Sequence, residues 1–402
     1  MMILFLSAWF PIPTDNGAKQ RVYHLLKAVA KSHEVTFISF AFETARPEMA
    51  EKALSFCKQV RIVECSPFVR SRSEQLGRFI SLQSIVDQPI PEMATLVKQT
   101  LEQNEFDVIV CSTTVMAAYV SDVDGLPKVI DIDNSLLRTN EFRAARAASF
   151  PARIAARVSQ QKRIWYERSF LPKFELLTVT SPLDKDVTRR YVGERPRIEV
   201  IPNGVDTEYL RPSRTERNGN ILIFTGSLTY DVNYEAMQYF LRDIYPAVKS
   251  KVADVELVIT GSYEGVDLTG LELDDSVCLT GYVADVRKYV QEADVAIAPI
   301  LSGGGTRLKV LEAMALGTAL VATPKAAEGL TLADGVNILI AEDAQAFGNA
   351  VVRFLNQPEL AVEIATAARE LIERHFDWFN IGRQFTMLIE SAKASIRDVE
   401  YQ

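Results

Sequence analysis

The chain has 402 residues, of which 48% are hydrophobic and 24% charged, and its formal net charge is −8. This length exceeds a single hydrophobic core and predicts two domains, while the acidic balance argues against a nucleic-acid binder, which is normally basic. No apolar run reaches the roughly 18 residues that a membrane-spanning helix requires, so the sequence does not predict an integral membrane protein. The cysteine usage described below fits a cytoplasmic protein.

The first half of the chain alternates apolar runs with helical patterns. Strands are predicted over 2–8, 34–40, 59–65, 107–111, 128–132 and 175–180, and helices over 19–31, 45–56, 91–103 and 135–170. The segment 199–206 then gives a short strand and an Asn-Gly turn. Strands that alternate with helices predict a parallel sheet covered on both faces.

The polar, turn-rich segment 211–220 is the best linker in the chain, and the alternation resumes after it. Strands are predicted over 220–225, 255–260, 277–279, 294–299, 318–323 and 336–340, and helices over 233–249, 284–292, 306–316, 344–356, 359–374 and 378–395. Two such halves predict a cleft between the carboxyl edges of two open sheets, where ligands of doubly wound sheets bind.

The most informative segment runs from Ser302 to Gly317, where a triple glycine links a buried strand to an amphipathic helix. A helix start at the end of a parallel strand suits a phosphate, because its backbone N–H groups are unpaired and glycine permits close approach. Arg307 and Lys309 add two cations, and Glu312 lies six residues past Thr306, roughly 9 Å along the helix axis, which is about the distance from a diphosphate to its ribose. The segment predicts a nucleotide diphosphate site.

The four cysteines, Cys57, Cys65, Cys111 and Cys278, have no paired metal spacing and predict buried free thiols in a reducing compartment. Asp131-Ile-Asp133 spells Asp-x-Asp, but nothing else in the sequence supports a metal ion, and none is predicted.

Several motifs closely resemble the group 1 (family 4) glycosyltransferases of GT-B fold. They are Val200–Asp206, Gly281-Tyr-Val283 with Asp285, Gly303–Gly317, Gly329 after Glu328, and the N-terminal Pro-x-Pro-x-Asp-Asn-Gly-Ala-x-x-Arg that starts at Pro11. The resemblance implies two Rossmann-like, doubly wound parallel-sheet domains that face a cleft, an acceptor-side domain over 1–210 and a donor-binding domain over 211–375. The C-terminal helix, 376–402, would cross back to the N-terminal domain.

The resemblance also implies retaining transfer of a sugar from a nucleotide diphosphate sugar to a glycan, lipid-linked or small-molecule acceptor, in surface polysaccharide or glycoconjugate synthesis. It implies no cofactor besides the donor substrate and no metal. Two rival functions stay open: a non-catalytic GT-B partner subunit, which a missing family residue favours, and a nucleotide-sugar epimerase, for which the sequence shows no acid/base cluster.

Three departures from the family pattern matter. Glu312 matches the second glutamate of the Glu-x7-Glu signature, which holds the ribose hydroxyls, but the first glutamate falls on Gly304. Gly226-Ser227 stands where the family usually has Gly-Arg, and no lysine follows within the next few residues. We therefore hypothesise that Arg307 and Lys309 neutralise the leaving diphosphate. Asp133 occupies the place of the family's frequent histidine.

The resulting candidate donor-binding residues are Gly303, Gly304, Gly305, Thr306, Arg307, Leu308, Lys309, Glu312, Gly226, Ser227, Asn233, Tyr282, Val283 and Gly17. Asp133 and Asp15 are the candidate catalytic residues, in the role of positioning the donor sugar or the acceptor. For Tyr282 and Val283 a place in the base pocket and a place at the edge of the core are both open, and Gly17 serves either a turn or a substrate contact.

A last feature is the basic stretch 138–168, in which arginines and lysines alternate with alanines and larger apolar residues. Two interpretations are open: a face that contacts anionic lipid or a lipid-linked acceptor, so that the protein is peripheral at the inner membrane face, or a plain solvated helix.

Overall fold

The computed structural model describes residues 1–42, 54–68, 88–146, 149–213 and 219–400, without the side chains of 142–146 and 395–400. The predictions of a helix over 45–56 and of a linker over 211–220 fall largely outside these residues. The chain forms two compact units, one of 1–203 with the C-terminal segment from Phe379, and one of Gly204–Trp378.

Unit 1 contains a parallel sheet of seven strands in the order β3-β2-β1-β4-β5-β6-β7. The strands are β1 Met2–Ser7, β2 Glu34–Phe40, β3 Gln59–Val63, β4 Val108–Ser112, β5 Lys128–Ile132, β6 Leu176–Val179 and β7 Arg197–Val200. The described helices are α1 Gly17–Ala30, α2 Pro91–Gln103, α3 Thr114–Ala117, α4 Leu136–Arg146, α5 Phe150–Phe170 and α6 Pro182–Val192. The helical segments predicted over 135–170 are the two helices α4 and α5, and α3 and α6 were not predicted.

Unit 2 contains a parallel sheet of six strands in the order β10-β9-β8-β11-β12-β13. The strands are β8 Ile221–Thr225, β9 Glu256–Thr260, β10 Val277–Gly281, β11 Val295–Ala298, β12 Ala319–Ala322 and β13 Leu339–Ile340. The helices are α7 Asp231–Tyr239, α8 Tyr245–Lys249, α9 Arg287–Glu292, α10 Leu308–Ala315, α11 Pro324–Ala327, α12 Ala344–Asn356 and α13 Pro358–His375. A π-helical turn, Phe240–Ile244, separates α7 from α8, so the helix predicted over 233–249 is interrupted.

The strand order places the candidate donor motifs. In unit 2 the order reverses between β8 and β11, and in an open parallel sheet ligands bind beyond the carboxyl ends of the strands at such a switch point. Gly226 directly follows β8, and the glycine loop follows β11. The sheet topology therefore brings these two motifs, far apart in sequence, to the same place.

The boundary between the units lies after Asn203, within the segment predicted for the N-terminal domain. The reason is local. Val205 donates to the carbonyl of Phe376 at 2.8 Å, and Trp378 donates back to Val205 at 3.1 Å, which ties the segment after Asn203 to the end of α13.

The last helix, α14 Trp378–Glu400, packs on unit 1 through close contacts with α1. A Cβ on Gly382 would clash with the Cβ of Ala28, so this contact requires glycine. Lys393 Nζ also pairs with Asp107 Oδ1 at 2.5 Å. Within the described residues, no helix is long and apolar enough to cross a membrane.

All four cysteines are free, but only Cys111 is fully buried. Cys57 and Cys65 are half-buried, and burial raises the pKa of the Cys57 thiol to about 12. Cys278 is exposed, so the prediction of buried thiols is wrong there, because β10 is the edge strand of its sheet.

Candidate functional site

The turn after β8 brings a glycine against the side chains of two distant elements. Gly226 has φ +146°, and a Cβ at this position would lie 2.7 Å from Lys309 Nζ and 2.8 Å from Asn233 Nδ2. Both the backbone conformation and the lack of space therefore require glycine. The Lys309 ammonium, which belongs to α10, consequently lies directly at the Gly226-Ser227 turn.

Lys309 is held there by a short relay of hydrogen bonds. Its Nζ donates to Asn233 Oδ1 at 2.8 Å, and Asn233 Nδ2 donates to the carbonyl of Ser227 at 2.7 Å. The ammonium also lies 3.9 Å from the ring centroid of Phe224. Burial, together with a smaller effect of the neighbouring Arg307 cation and against the opposite effect of Glu312, lowers the pKa of Lys309 to about 7. An anionic ligand beside this ammonium would stabilise its charged form.

Glu312 lies on α10, close to one turn after Lys309, and is half-buried. Burial raises the pKa of its carboxyl group, and the Lys309 ammonium opposes that shift. The cation of Lys309 and the carboxylate of Glu312 thus follow each other on one helix, in the order that a diphosphate and its ribose require.

Arg307 braces the glycine loop from inside. Its Nη1 donates to the carbonyl of Gly304 at 2.9 Å and its Nη2 to the carbonyl of Ser302 at 2.9 Å. A Cβ on Gly303, whose φ is +88°, would lie 3.1 Å from both Arg307 Nη2 and Val232 Cγ2. These two bonds give Arg307 a structural role in the loop. Because arginine has five N–H donors, they do not prevent a contact with a diphosphate, and that contact stays a hypothesis.

Helix α7 contacts the glycine loop at a residue that the sequence did not single out. The hydroxyl of Ser302 donates to Glu235 Oε2 in a short hydrogen bond. Val232 Cγ2 would lie 3.1 Å from a Cβ on Gly303, so α7 lies against the loop at two points, and Asn233 of the same helix bonds Lys309 of α10. A single sequence gives no signal for this contact, since it depends on how α7 packs against the glycine loop.

The other predicted donor residues lie at the start of α10 and directly after β10. Thr306 and Leu308 are half-buried at the start of α10, whose first turn has no side-chain cap. Tyr282 follows β10 with its side chain 82% exposed, and Val283 is half-buried. The contacts described above thus join Gly226, Ser227, Asn233 and Lys309, whereas the place of Tyr282 and Val283 in a base pocket stays a prediction.

In unit 1, Arg21 of the N-terminal motif is fully buried with all five N–H donors satisfied. Nε and Nη2 donate to the two oxygens of Asp131 at 2.8 and 2.6 Å, and Nη2 also donates to the Ile201 carbonyl at 2.9 Å. Nη1 donates to the Pro202 carbonyl and to Asn203 Oδ1, both at 3.0 Å. Asp131 is therefore committed to this network, which leaves Asp133 alone of the Asp-x-Asp pair to act on a ligand.

Asp133 directly follows the end of β5 and is half-buried. Burial raises the pKa of its carboxyl group to about 6, and the negative charge of Asp131 adds to the rise, while Arg21 opposes it. A carboxyl group with a pKa near neutrality at the carboxyl end of a parallel strand is suited to exchange or accept a proton.

Asp15 and Gly17 lie at the start of α1. Asp15 pairs with Lys19 at 2.9 Å, and its side chain is half exposed. Gly17 is the first residue of the helix, which the side chain of Asn16 caps by accepting from Lys19 N at 3.0 Å. The contacts of both residues are those of a capped helix start, and their roles toward a substrate stay predictions.

A strained residue lies at the end of β4, next to β5. Thr113 has φ 73° and ψ 154°, a conformation that costs a threonine of order 1–3 kcal/mol. Its hydroxyl and that of the neighbouring Ser112 have no hydrogen-bond partner in the part of the chain that the structure describes. The strained backbone and the two hydroxyl groups without partners make this end of the unit 1 sheet a candidate site.

Family comparisons cover both units. The family described as Glycosyltransferase Family 4 matches residues 15–209, and the one described as Glycosyl transferases group 1 matches residues 219–357. HepE of Anabaena, solved in complex with UDP and glucose, superposes with a TM-score of 0.67 over 97% of this chain and 100% of its own, at 17% identity. Solved glycosyltransferases of the same architecture superpose as fully. The fold is GT-B.

Two curated proteins extend the comparison. A 44.6 kDa protein from the cps region of Klebsiella pneumoniae is 20% identical over 391 residues, which are 93% of this chain and 96% of that protein. The phosphatidyl-myo-inositol mannosyltransferase of Mycolicibacterium smegmatis is 29% identical over 222 residues, 52% of this chain and 56% of that enzyme. The chain thus spans little more than half the length of the mannosyltransferases it matches. It belongs to the group 1 (family 4) glycosyltransferases.

Proposed function

We propose that the protein transfers a sugar from a nucleoside diphosphate donor to an acceptor hydroxyl with retention of configuration and without a metal ion. The observation that carries this proposal is the place of Lys309, whose ammonium lies 2.7 Å from where a Cβ on Gly226 would be, at the turn where this chain has Ser227 in place of the family's arginine. Asn233, in the stretch after Ser227 that lacks the family's lysine, holds that ammonium. Lys309 thus brings a cation from α10 to a turn that has none of its own, and Arg307 is the second cation of the site.

In the reaction, the bond from the anomeric carbon to the diphosphate breaks as the acceptor oxygen bonds to that carbon, and the acceptor proton leaves with the diphosphate. The negative charge that develops on the leaving diphosphate is stabilised by Lys309, by the positive end of the α10 helix dipole and by Arg307. Glu312 accepts hydrogen bonds from the ribose hydroxyls. The protein therefore acts mainly by positioning and charge stabilisation.

The acceptor is proposed to bind unit 1, at the end of the sheet that carries Asp133 and Thr113. Asp133 would accept a hydrogen bond from a sugar or acceptor hydroxyl, and the unmet hydroxyls of Ser112 and Thr113 would bind others. The cps location of one relative and the phosphatidylinositol acceptor in the name of another support a glycan or lipid-linked acceptor.

The experiment that tests the proposal compares thermal stabilisation by UDP, GDP and ADP, in wild type and in Glu312→Ala. A ligand at 100 times its dissociation constant stabilises by about 2.7 kcal/mol, so one base should raise the melting temperature by several degrees and Glu312→Ala should abolish the shift. Incubation with the matching nucleotide sugars then separates the rivals: slow release of the diphosphate supports transfer, an isomerised sugar indicates an epimerase, and binding without turnover indicates a partner subunit.

A membrane-facing role is proposed for α5. Its buried face carries Arg163 and Glu167, paired with each other, while its opposite face is apolar and exposed. Four exposed apolar side chains recur on that face at near-helical spacing, namely Phe150 at 74%, Ile154 at 49%, Val158 at 50% and Trp165 at 54%. Arg153 and Arg157 are exposed beside them, and no acidic residue precedes Glu167 in the helix. The whole chain has a net charge of −8, yet this helix face combines exposed apolar side chains with cations. Such a face is suited to bind an anionic lipid surface.

Sedimentation with phosphatidylglycerol-containing vesicles tests this face. Arg153→Gln with Arg157→Gln removes two cations worth about 1 kcal/mol each near an anionic surface, so the partition coefficient should fall roughly 30-fold. Trp165→Ser should weaken binding too, whereas Met387→Ser, equally exposed at 60% on α14, serves as the matched control and should not. Equal binding to pure phosphatidylcholine would overturn the preference for an anionic surface, and no binding by wild type would show that α5 is a solvated helix.

A further inference from the structure

We propose that Glu235 binds a hydroxyl of the donor sugar, in place of the carboxylate that the family signature has at position 304, where this chain has glycine. The inference rests on the proposed function, since it assumes that a nucleoside diphosphate sugar occupies the site of Lys309 and Glu312. It assigns sugar recognition to a helix that lies outside the signature.

The position of Glu235 follows from its contact with Ser302. The Ser302 hydroxyl donates to Glu235 Oε2, and Ser302 adjoins Gly303 and Gly304 in the chain. The carboxylate of α7 therefore lies beside the segment from which the missing signature carboxylate would project. Position 304 itself is an exposed glycine, which has no side chain that could replace the missing carboxylate.

The hydrogen-bonding capacity of the Glu235 carboxylate is only partly used. It is half-buried, yet it forms no ion pair within the described ranges of the chain. A carboxylate offers about four acceptor positions, of which the Ser302 hydroxyl fills one. Burying part of a carboxylate without a cation or a full set of hydrogen bonds costs free energy, which a ligand with several hydroxyl donors would offset.

The cations of the site explain which part of the donor Glu235 would meet. Lys309 is held by Asn233, and Arg307 donates to the carbonyls of Ser302 and Gly304, so both cations lie along the path proposed for the diphosphate. A carboxylate repels a diphosphate but binds hydroxyl groups strongly. Glu235 must therefore contact the sugar and not the phosphates.

A purely structural part for Glu235 makes a different prediction. If its carboxylate only held Ser302, removal of either partner would disturb the loop alike, and affinity for the nucleoside diphosphate would fall together with affinity for the nucleotide sugar. A sugar contact instead weakens only the ligand that carries the sugar. The ratio of the two affinities is therefore the readout that separates the two roles.

The experiment measures dissociation constants by isothermal titration calorimetry for the nucleoside diphosphate that stabilises the wild type and for its hexose conjugates. Glu235→Gln should weaken the preferred nucleotide sugar roughly tenfold or more, as for a lost hydrogen bond to a charged group, and leave the free diphosphate within about twofold. Ser302→Ala, the matched control, should change both ligands by the same small factor. Gly304→Glu in the Glu235→Gln background should restore part of the sugar affinity.

Parallel losses for both ligands in Glu235→Gln, or unchanged affinity for every nucleotide sugar, would overturn the assignment and leave the proposed function intact. Failure of every nucleoside diphosphate to bind the wild type would overturn the proposed function, and the assignment of Glu235 with it.

Discussion

Replacing Arg21 with methionine should lower the free energy of unfolding by about 3–5 kcal/mol, the effect of breaking a buried ion pair by removing one partner. The guanidinium is fully buried and bonds both oxygens of Asp131, at 2.8 and 2.6 Å. Its loss leaves the Asp131 carboxylate buried with only the hydroxyl of Thr178, which donates at 2.6 Å. Three acceptors in Ile201–Asn203 would also lose their donor.

Urea denaturation followed by circular dichroism measures this change. Arg197→Met is the matched control, because Arg197 is half exposed and pairs with Glu199 at the surface, where such pairs contribute about 0–1 kcal/mol. Arg21→Lys should recover only part of the loss, since lysine has three donors in place of five. A midpoint for Arg21→Met equal to that of Arg197→Met would show that the network contributes little to stability.

Replacing Lys309 with methionine should reduce kcat/KM for the donor by about 10²–10³-fold, the effect of removing one group that stabilises developing charge. Methionine matches the length of lysine, so the packing against Phe224 is kept while the charge is lost. Lys251→Met, at an exposed lysine on the surface of unit 2, serves as the control and should leave turnover unchanged. A kcat/KM of Lys309→Met close to that of the wild type would contradict the proposed stabilisation of the leaving diphosphate by this ammonium.

The plot of kcat/KM against pH should be bell-shaped, with one limb set by Asp133 and the other by Lys309. Lys309 has a lowered pKa of about 7, so its ammonium is charged below that pH, and donor turnover should decline as pH rises through 7. Asp133 has a raised pKa of about 6, so its carboxylate forms above that pH, and activity should rise as pH passes through 6. Asp133→Asn should remove the acid limb, and Lys309→Arg should move the alkaline limb upward. A limb that survives its own substitution belongs to another group.

Much of the fold could be predicted from the sequence because most strands are short segments rich in apolar and β-branched residues between turn residues. β1 and β2 lie within a residue of their predicted ends for this reason. Helix α6 was missed although Ser181 caps it and Pro182 begins it, a pattern that marks a helix start. The π-helical turn at Phe240–Ile244 has no comparable sequence signal.

The candidate site also has parts that could be predicted from the sequence and parts that could not. The glycine loop, Lys309 and Glu312 are close in sequence, so helix geometry alone places them at one helix start. The bond between Lys309 and Asn233, the contact of Glu235 with Ser302 and the pair of Arg21 and Asp131 join residues far apart in the chain. These depend on which helices pack beside which strands, and a single sequence does not determine the side-chain geometry at such contacts.

The brace that Arg307 forms across the glycine loop has a thermodynamic consequence. Because its two bonds to loop carbonyls are made within the chain, they order the loop when the chain folds, and less conformational entropy is left to lose when the donor binds. The donor therefore meets a loop whose backbone is already ordered, as in other preorganised sites. Calorimetry of Arg307→Ala should show a less favourable entropy of nucleotide binding, with an enthalpy that changes in the opposite direction if the loop still orders around the phosphates.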